Sequence, residues 1–332
     1  MRYIGGKTKI LPFLEEIITG EVKKAESFCD LFAGTGCVGR YFKPKFRIIS
    51  NDLMYFSYLL NFSSVGLNKA QEFENLGFNP FEYLNNKELP DVLSEGFFEK
   101  EYSEKSGRMY FTLQNARKID FVRAQIEVWK NEGRINSEEY LYLLGCLVES
   151  VPFVSNISGT FGAYNKIWDR RAKKDFVLRE ITPVSNNKKN KCFNKDANEL
   201  IKEVEGDILY LDPPYNTRQY ISNYHILETL AKQDNPEITG KTGLRVNSEG
   251  QKSDFCRKRT APKKLKDIIE NAKFEHIFLS YNTEGIIPLE VIEEIFSRYK
   301  NYKKFEIPYK TFKSNSRTKD RDLKELIFYA KK

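Results

Sequence analysis

Asp212-Pro213-Pro214-Tyr215 ends the apolar run Ile208–Leu211. A strand of that composition belongs inside a parallel sheet, whose ligands bind beyond the carboxyl ends of the strands, so Asp212 would stand at the mouth of a site. Neither proline can donate an N–H; they hold an extended turn and leave their carbonyls free to accept hydrogen bonds. Tyr215 adds a flat face. Together an anion, free carbonyls and a ring can hold a planar group that bears an amine. The same four residues also spell an ordinary strand-ending turn with a capping acid, so other parts of the chain must decide.

A second constellation lies near the start. In "DLFAGTGCVGR" the residues Gly34, Gly36 and Gly39 have GxGxxG spacing, directly after a strand-like run and opening a helix. Such glycines let the backbone turn tightly and approach a ligand, and the helix start offers N–H groups. Asp52 ends the next strand-like run, where an acid can accept both hydroxyls of a ribose. No GK[ST] follows, which disfavours a phosphate cradle. A dinucleotide and S-adenosylmethionine both remain open on these features. Asp30 and Asp212 separate them, because acids beside the turn repel phosphates and attract a sulfonium and an α-amino group.

The composition fits a polyanionic partner. The chain carries 54 Lys and Arg against 46 Asp and Glu, a net charge of +8, with 14% aromatic residues. A basic, aromatic-rich surface suits nucleic acid, although a lysine-rich solvated surface has the same composition. Five scattered cysteines without a CxxC pair, and only two histidines, suggest neither a disulfide framework nor a metal centre, and make a Ser-His-Asp triad improbable. "MRYIGGKTKILPFL" has no secretory leader pattern, and no stretch approaches the roughly eighteen apolar residues of a membrane span. A cytoplasmic location is expected.

The elements that must position these residues alternate. "SFCDLFAG", "FRIIS", "DILYLDPPY" and "HIFLSYN" read as strands, and "VGRYFK", "MYFSYLLNF", "NYHILETLAKQ" and "PLEVIEEIFSRYK" as helices. Alternation of this kind implies βαβ units and a doubly wound, Rossmann-like α/β sheet. "KKFEIPYKTF" and "KELIFYAKK" read as a closing antiparallel edge hairpin. Between the halves the rhythm gives way to two helical runs, "MYFTLQNARKIDFVRAQIEVWKNEG" and "NSEEYLYLLGCLVESV", the second with Asn136-Ser137 as its cap. The expected organisation is a sheet domain over 1–67 and 183–332 and a mainly helical insertion over 68–182. The Gly- and Lys-rich stretch "TGKTGLRVNSEGQKSDFCRKRTAPKK" reads as a loop, either solvated or ordered on phosphates.

"RYIGGK", "DLFAGTG", Asn51-Asp52 and "DPPY", in this order, resemble the D12 class of N6-adenine-specific DNA methyltransferases, in the arrangement whose target-recognition segment is inserted mid-chain. The resemblance covers about 1–66 and 192–332. "DPPYNTRQY", "NYHILETLA" and "SYNTEG" are further similar to the methylases of type IIS restriction-modification systems. It implies that Tyr3, Gly5, Gly6 and Lys7 wrap the methionine end of S-adenosylmethionine, and that Phe32, Gly34 and Gly36 form the glycine loop. It further implies that Asp52 holds the ribose and Asp196 contacts the cofactor adenine.

The chemistry expected of Asp212, Pro213, Pro214 and Tyr215 then follows. Adenine N6 is a poor nucleophile because its lone pair is delocalised into the ring. If the Asp212 carboxylate and the Pro213 carbonyl accept its two hydrogens, the nitrogen can become more tetrahedral and aim its lone pair at the methyl group. Tyr215 would stack on an adenine flipped out of double-stranded DNA. Arg218, Lys241, Arg245, Arg257 and Lys258 are candidate DNA contacts. No metal is implied, a monomer is expected, and a cognate restriction endonuclease encoded nearby would be the functional partner. Rival readings are a same-fold enzyme for cytosine N4 or RNA adenine, an NAD(P)-linked oxidoreductase, and a basic DNA-binding protein without catalysis.

Overall fold

The computed structural model describes residues 6–89, 95–307 and 324–332, which fall into two compact units. One unit holds Lys7–Leu53, Asn186–Gln219 and Lys252–Lys332; the other contains Met54–Ser185 and Tyr220–Gln251. The first is built on a seven-stranded sheet. Its strands are β1 (Ser27–Asp30), β2 (Arg47–Asn51), β3 (Lys191–Phe193), β4 (Glu205–Leu211), β5 (Lys273–Asn282), β6 (Lys300–Ile307) and β7 (Glu325–Lys331). Their spatial order is β3-β2-β1-β4-β5-β7-β6.

Strands β3 to β5 in that order are parallel, while β7 runs antiparallel between β5 and β6. β6 and β7 pair antiparallel, as expected of the two closing runs, while the end of "KKFEIPYKTF" and the connection lie outside the described residues. β1 and the Ile208–Leu211 part of β4 are buried, as their apolar spelling requires of central parallel strands. Successive side chains point to opposite faces. Cys29, Leu31, Leu209 and Leu211 pack with the helices Ala261–Asn271 and Leu289–Phe296. On the other side Phe28 stacks on Phe42 of the helix Cys37–Phe42 at 4.7 Å. Two of these elements were absent from the expected set. β3 is only three residues long, and the helix Ala261–Asn271 starts inside what reads as a basic loop, with Pro262 in its first turn. That helix buries Leu265, Ile268 and Ile269, each contributing roughly 1.5–3 kcal/mol.

The second unit is mainly helical, with a two-residue ladder between Ile238–Thr239 and Leu244–Arg245. Its longest helices, Leu113–Asn131 and Ser137–Ser150, lie where the 3.6-residue spacing of apolar side chains puts them. Trp129 and Tyr142 are fully buried in its core. Gly145 is required by close approach: a Cβ there would meet Ser63 Oγ at 2.0 Å and the Leu59 carbonyl at 2.7 Å. The helix Tyr220–Lys232, kinked at Tyr224, also belongs to this core. Asn136 forms a capping box: its side chain accepts from the amides of Glu138 and Glu139, and Glu139 returns a bond to the Asn136 amide. Asn136→Ala is expected to lower stability by about 1 kcal/mol, read as a fall in denaturant midpoint at constant slope. Among the described residues no helix is long and apolar enough to cross a membrane.

Candidate active site

The strand order reverses between β1 and β4, and the crevice beyond the carboxyl ends of such a pair is where open α/β sheets bind ligands. Asp30 ends β1 and Asp212 follows β4 directly. After β1 the chain turns through Gly34 and Gly36, whose φ values of 53° and 76° are left-handed and suit glycine. Gly36 then caps the helix Cys37–Phe42. Asp52 follows β2 and its carboxylate accepts the Gly34 amide at 2.8 Å, so the acid and the glycine turn hold one another. Asn51 secures the same corner, donating to the carbonyls of Leu31 and Lys195.

Asp30 is 1% exposed and both its carboxylate oxygens lack a hydrogen-bond partner. Burial raises its pKa well above the usual carboxylate range, the nearby carboxylates of Asp212 and Asp52 push the same way, and the backbone amides of Gly39 and Phe32 pull against them. A buried acid left without a partner is costly. A cation bound at this point would relieve it.

Asp212 is held by Lys7, whose Nζ lies 3.0 Å from its Oδ1 and also pairs with Glu325. Ser280, in β5, donates its hydroxyl to Glu325 at 2.6 Å. Because β7 is antiparallel, its first residue, Glu325, sits opposite Asn282 at the carboxyl end of β5. Burial pushes the Asp212 pKa up to about 6, Lys7 pulls it down and Glu325 raises it again. The two carboxylates hold the Lys7 ammonium charged against its burial.

Pro213 is buried and Pro214 and Tyr215 are half-buried. The Tyr215 carbonyl accepts the Ile286 amide at 3.0 Å, and Gln219 exchanges two hydrogen bonds with Ser253, so the turn is fixed at both ends. Phe32 packs edge-on against Phe255 at 5.0 Å. Tyr281 points into the core, its hydroxyl accepting the Ile287 amide.

The structure thus brings Lys7, Asp30, Gly34, Gly36, Asp52 and Asp212 to one end of the sheet. Gly6 is exposed, and Tyr3 and Gly5 lie outside the described residues. Asp196 is exposed and caps the short helix Ala197–Leu200 through the Asn198 amide. Arg218, Lys241 and Lys258 are exposed, and Arg257 is exposed with a contact to Asp254. Arg245 differs: its guanidinium is clasped by Asp234 and Thr229 within the helical unit. Sequence reasoning missed Glu325. Its one signal is an acid leading the apolar run "LIFYA", which cannot be assigned until the strand direction is known.

A largely parallel sheet with a glycine turn, an acid after the neighbouring strand and a DPPY turn at its switch point is a layout consistent with a methyltransferase fold. Residues 3–295 match the family model of the D12 class N6 adenine-specific DNA methyltransferases, and the chain belongs to that family. Methyltransferases of this kind generally use S-adenosylmethionine. The chain is 46% identical to the type II methyltransferase M.FokI of Planomicrobium okeanokoites, over all of its own length and 53% of that protein. It is 40% identical to the modification methylase StsI of Streptococcus sanguinis, over 99% of itself and 51% of the relative. To the type II methyltransferase M.NlaIII of Neisseria lactamica it is 40% identical over 98% of itself and 96% of the relative. The chain thus spans about half the length of the first two relatives and nearly all of the third.

Proposed function

We propose that the chain transfers a methyl group from S-adenosylmethionine to N6 of adenine in double-stranded DNA. It would act in the cytoplasm as the methylating component of a restriction-modification system, as a monomer, alongside an endonuclease encoded nearby. One observation carries this: the Asp212–Tyr215 turn stands at the carboxyl end of β4 with partnerless Asp30 at the end of the adjacent β1.

The residues fit the cofactor. Asp30 offers an unspent carboxylate to a cationic methionine end, the turn Phe32–Gly36 offers backbone at close range, Asp52 reaches ribose hydroxyls, and Asp196 is assigned to the adenine. Once bound, S-adenosylmethionine supplies an electrophilic methyl group. Asp212 and the Pro213 carbonyl accept the N6 hydrogens and orient the nitrogen lone pair. Pro214 sets the angle of the turn, and Tyr215 stacks on the target base. Lys7 and Glu325 hold Asp212 at its angle. No strong base is needed, because the amine becomes acidic as it is alkylated and its proton passes to Asp212 or water.

The helical unit serves as the target-recognition part. Arg218, Lys241, Arg257 and Lys258 present exposed charge to phosphates, whereas Arg245 would have to leave Asp234 to do so. The deciding experiment incubates the chain with labelled S-adenosylmethionine and unmethylated bacterial-virus DNA, followed by nucleoside analysis. Label in N6-methyladenine is the expected result. Label in N4-methylcytosine, or only in RNA, would reassign the substrate. No transfer from a folded chain that binds the cofactor would overturn the reading.

A further inference from the structure

The helical unit carries a projection that this chemistry has not used. Ile167 is 82% exposed, more than any other large apolar residue described. A single exposed isoleucine is unremarkable on its own. Its mounting is not. Buried Asn156 donates its side-chain amide to the carbonyls of Met109 and Asn165 at 3.0 and 2.9 Å and accepts the Asp169 amide at 2.9 Å. Its own carbonyl accepts the Asn165 amide at 2.9 Å. One buried side chain therefore pins both ends of the tip Lys166-Ile167-Trp168.

The arm beyond the tip is equally fixed. Asp169 caps the turn Arg170–Lys173 and pairs with Arg171 at 2.7 Å. Asn115 then holds the carbonyls of Ala172 and Lys174 and accepts the Phe176 amide. Asp169 is the one acid between Lys166 and Lys174, and Arg171 occupies it. Lys166, Arg170, Lys173 and Lys174 have no ion-pair partner among the described residues.

We propose that the tip Lys166–Trp168 is a wedge that enters the base stack of duplex DNA, with Ile167 inserted and the four unpaired cations on the flanking phosphates. An apolar side chain on a pinned tip, flanked along the chain by unpaired cations, is complementary to a polyanion whose interior is apolar. Insertion repays part of the cost of unstacking a target base, and a rigid mount avoids the entropy of ordering a loop on binding. The inference rests on duplex DNA being the substrate; a lipid surface is the competing partner for such a tip.

The test compares the native chain with Ile167→Ala on two duplexes that carry the mapped methylation site, one fully paired and one with the target adenine mismatched and so already loosened. The variant should lose about tenfold or more in transfer to the paired duplex and stay within about twofold of native on the mismatched one. Equal rates on the paired duplex, or an equal loss on both, would overturn the wedge. Binding is read independently from fluorescence. The protein has two tryptophans and Trp129 is buried, so quenching by duplex DNA reports on Trp168. Quenching that Ile167→Asp abolishes is expected even if no methyl is transferred, which would sink the methyltransferase reading alone. Absence of quenching by duplex DNA, or quenching only by anionic lipid vesicles, removes the wedge.

Discussion

Asp212→Ala is expected to lower kcat for methyl transfer by about 10³-fold while changing cofactor affinity only severalfold, as single-turnover assays with labelled cofactor would show. The loss is placed on kcat because the carboxylate is proposed to act on the amine as it becomes a nucleophile. Asp212→Asn keeps an acceptor oxygen in nearly the same place and should retain more activity than the alanine variant. An alanine variant with a tenth or more of native activity would remove Asp212 from the chemistry. Acid should mimic the substitution. With a pKa of about 6, Asp212 loses its accepting form as the pH falls through that value, so the rate profile should have an acid limb there. Stability moves the other way. The folded-state pKa is raised above the unfolded one, so this group favours the fold when protonated and withdraws that contribution as pH rises from about 4 to about 6. Activity and this part of the stability therefore oppose one another over the same interval.

Lys7→Met should be the most damaging single change to the fold near the site. The ammonium lies between Asp212 and Glu325, 7% exposed, and its removal leaves two largely buried carboxylates without their shared cation. Breaking a buried ion pair by deleting one partner costs about 3–5 kcal/mol, because the surviving charge stays uncompensated. Denaturant melts of the variant should show that loss at neutral pH and a smaller one in mild acid, where one carboxyl can protonate. In whatever activity survives, the acid limb should move upward, since Lys7 is what pulls the Asp212 pKa down. An unmoved limb would mean that the limb reports on another group.

Much of the sheet unit was legible because each piece has a local cause. The glycines of "FAGTG" must turn, prolines must end a strand, and the central strands are apolar on both faces. The helices Leu113–Asn131 and Ser137–Ser150 followed from spacing, and Asn136 from capping chemistry. The illegible parts depend on partners distant in sequence. Nothing in "NYHILETLA" shows that the helix Tyr220–Lys232 belongs to the helical unit, since its spacing suits a helix covering a sheet equally well. The helix Ala261–Asn271 hides its start among lysines, because charge masks a first turn marked only by Pro262. Arg245 spells a free cation, and only the fold brings Asp234 to it.

The same distance in sequence shapes how the site comes into being. Lys7 and Glu325 are separated by 318 positions, and their meeting requires β7 to have slotted between β5 and β6. Contacts of such separation form late, after most of the loop-closure entropy has been met. The carboxylate proposed to orient the base therefore acquires its full set of neighbours only when the sheet is closed. A partly assembled chain with every other strand in place would hold the DPPY turn with a lysine free to swing. Catalytic competence is thus tied to completion of the fold, and local fraying of β7 would silence the site before the rest of the sheet comes apart.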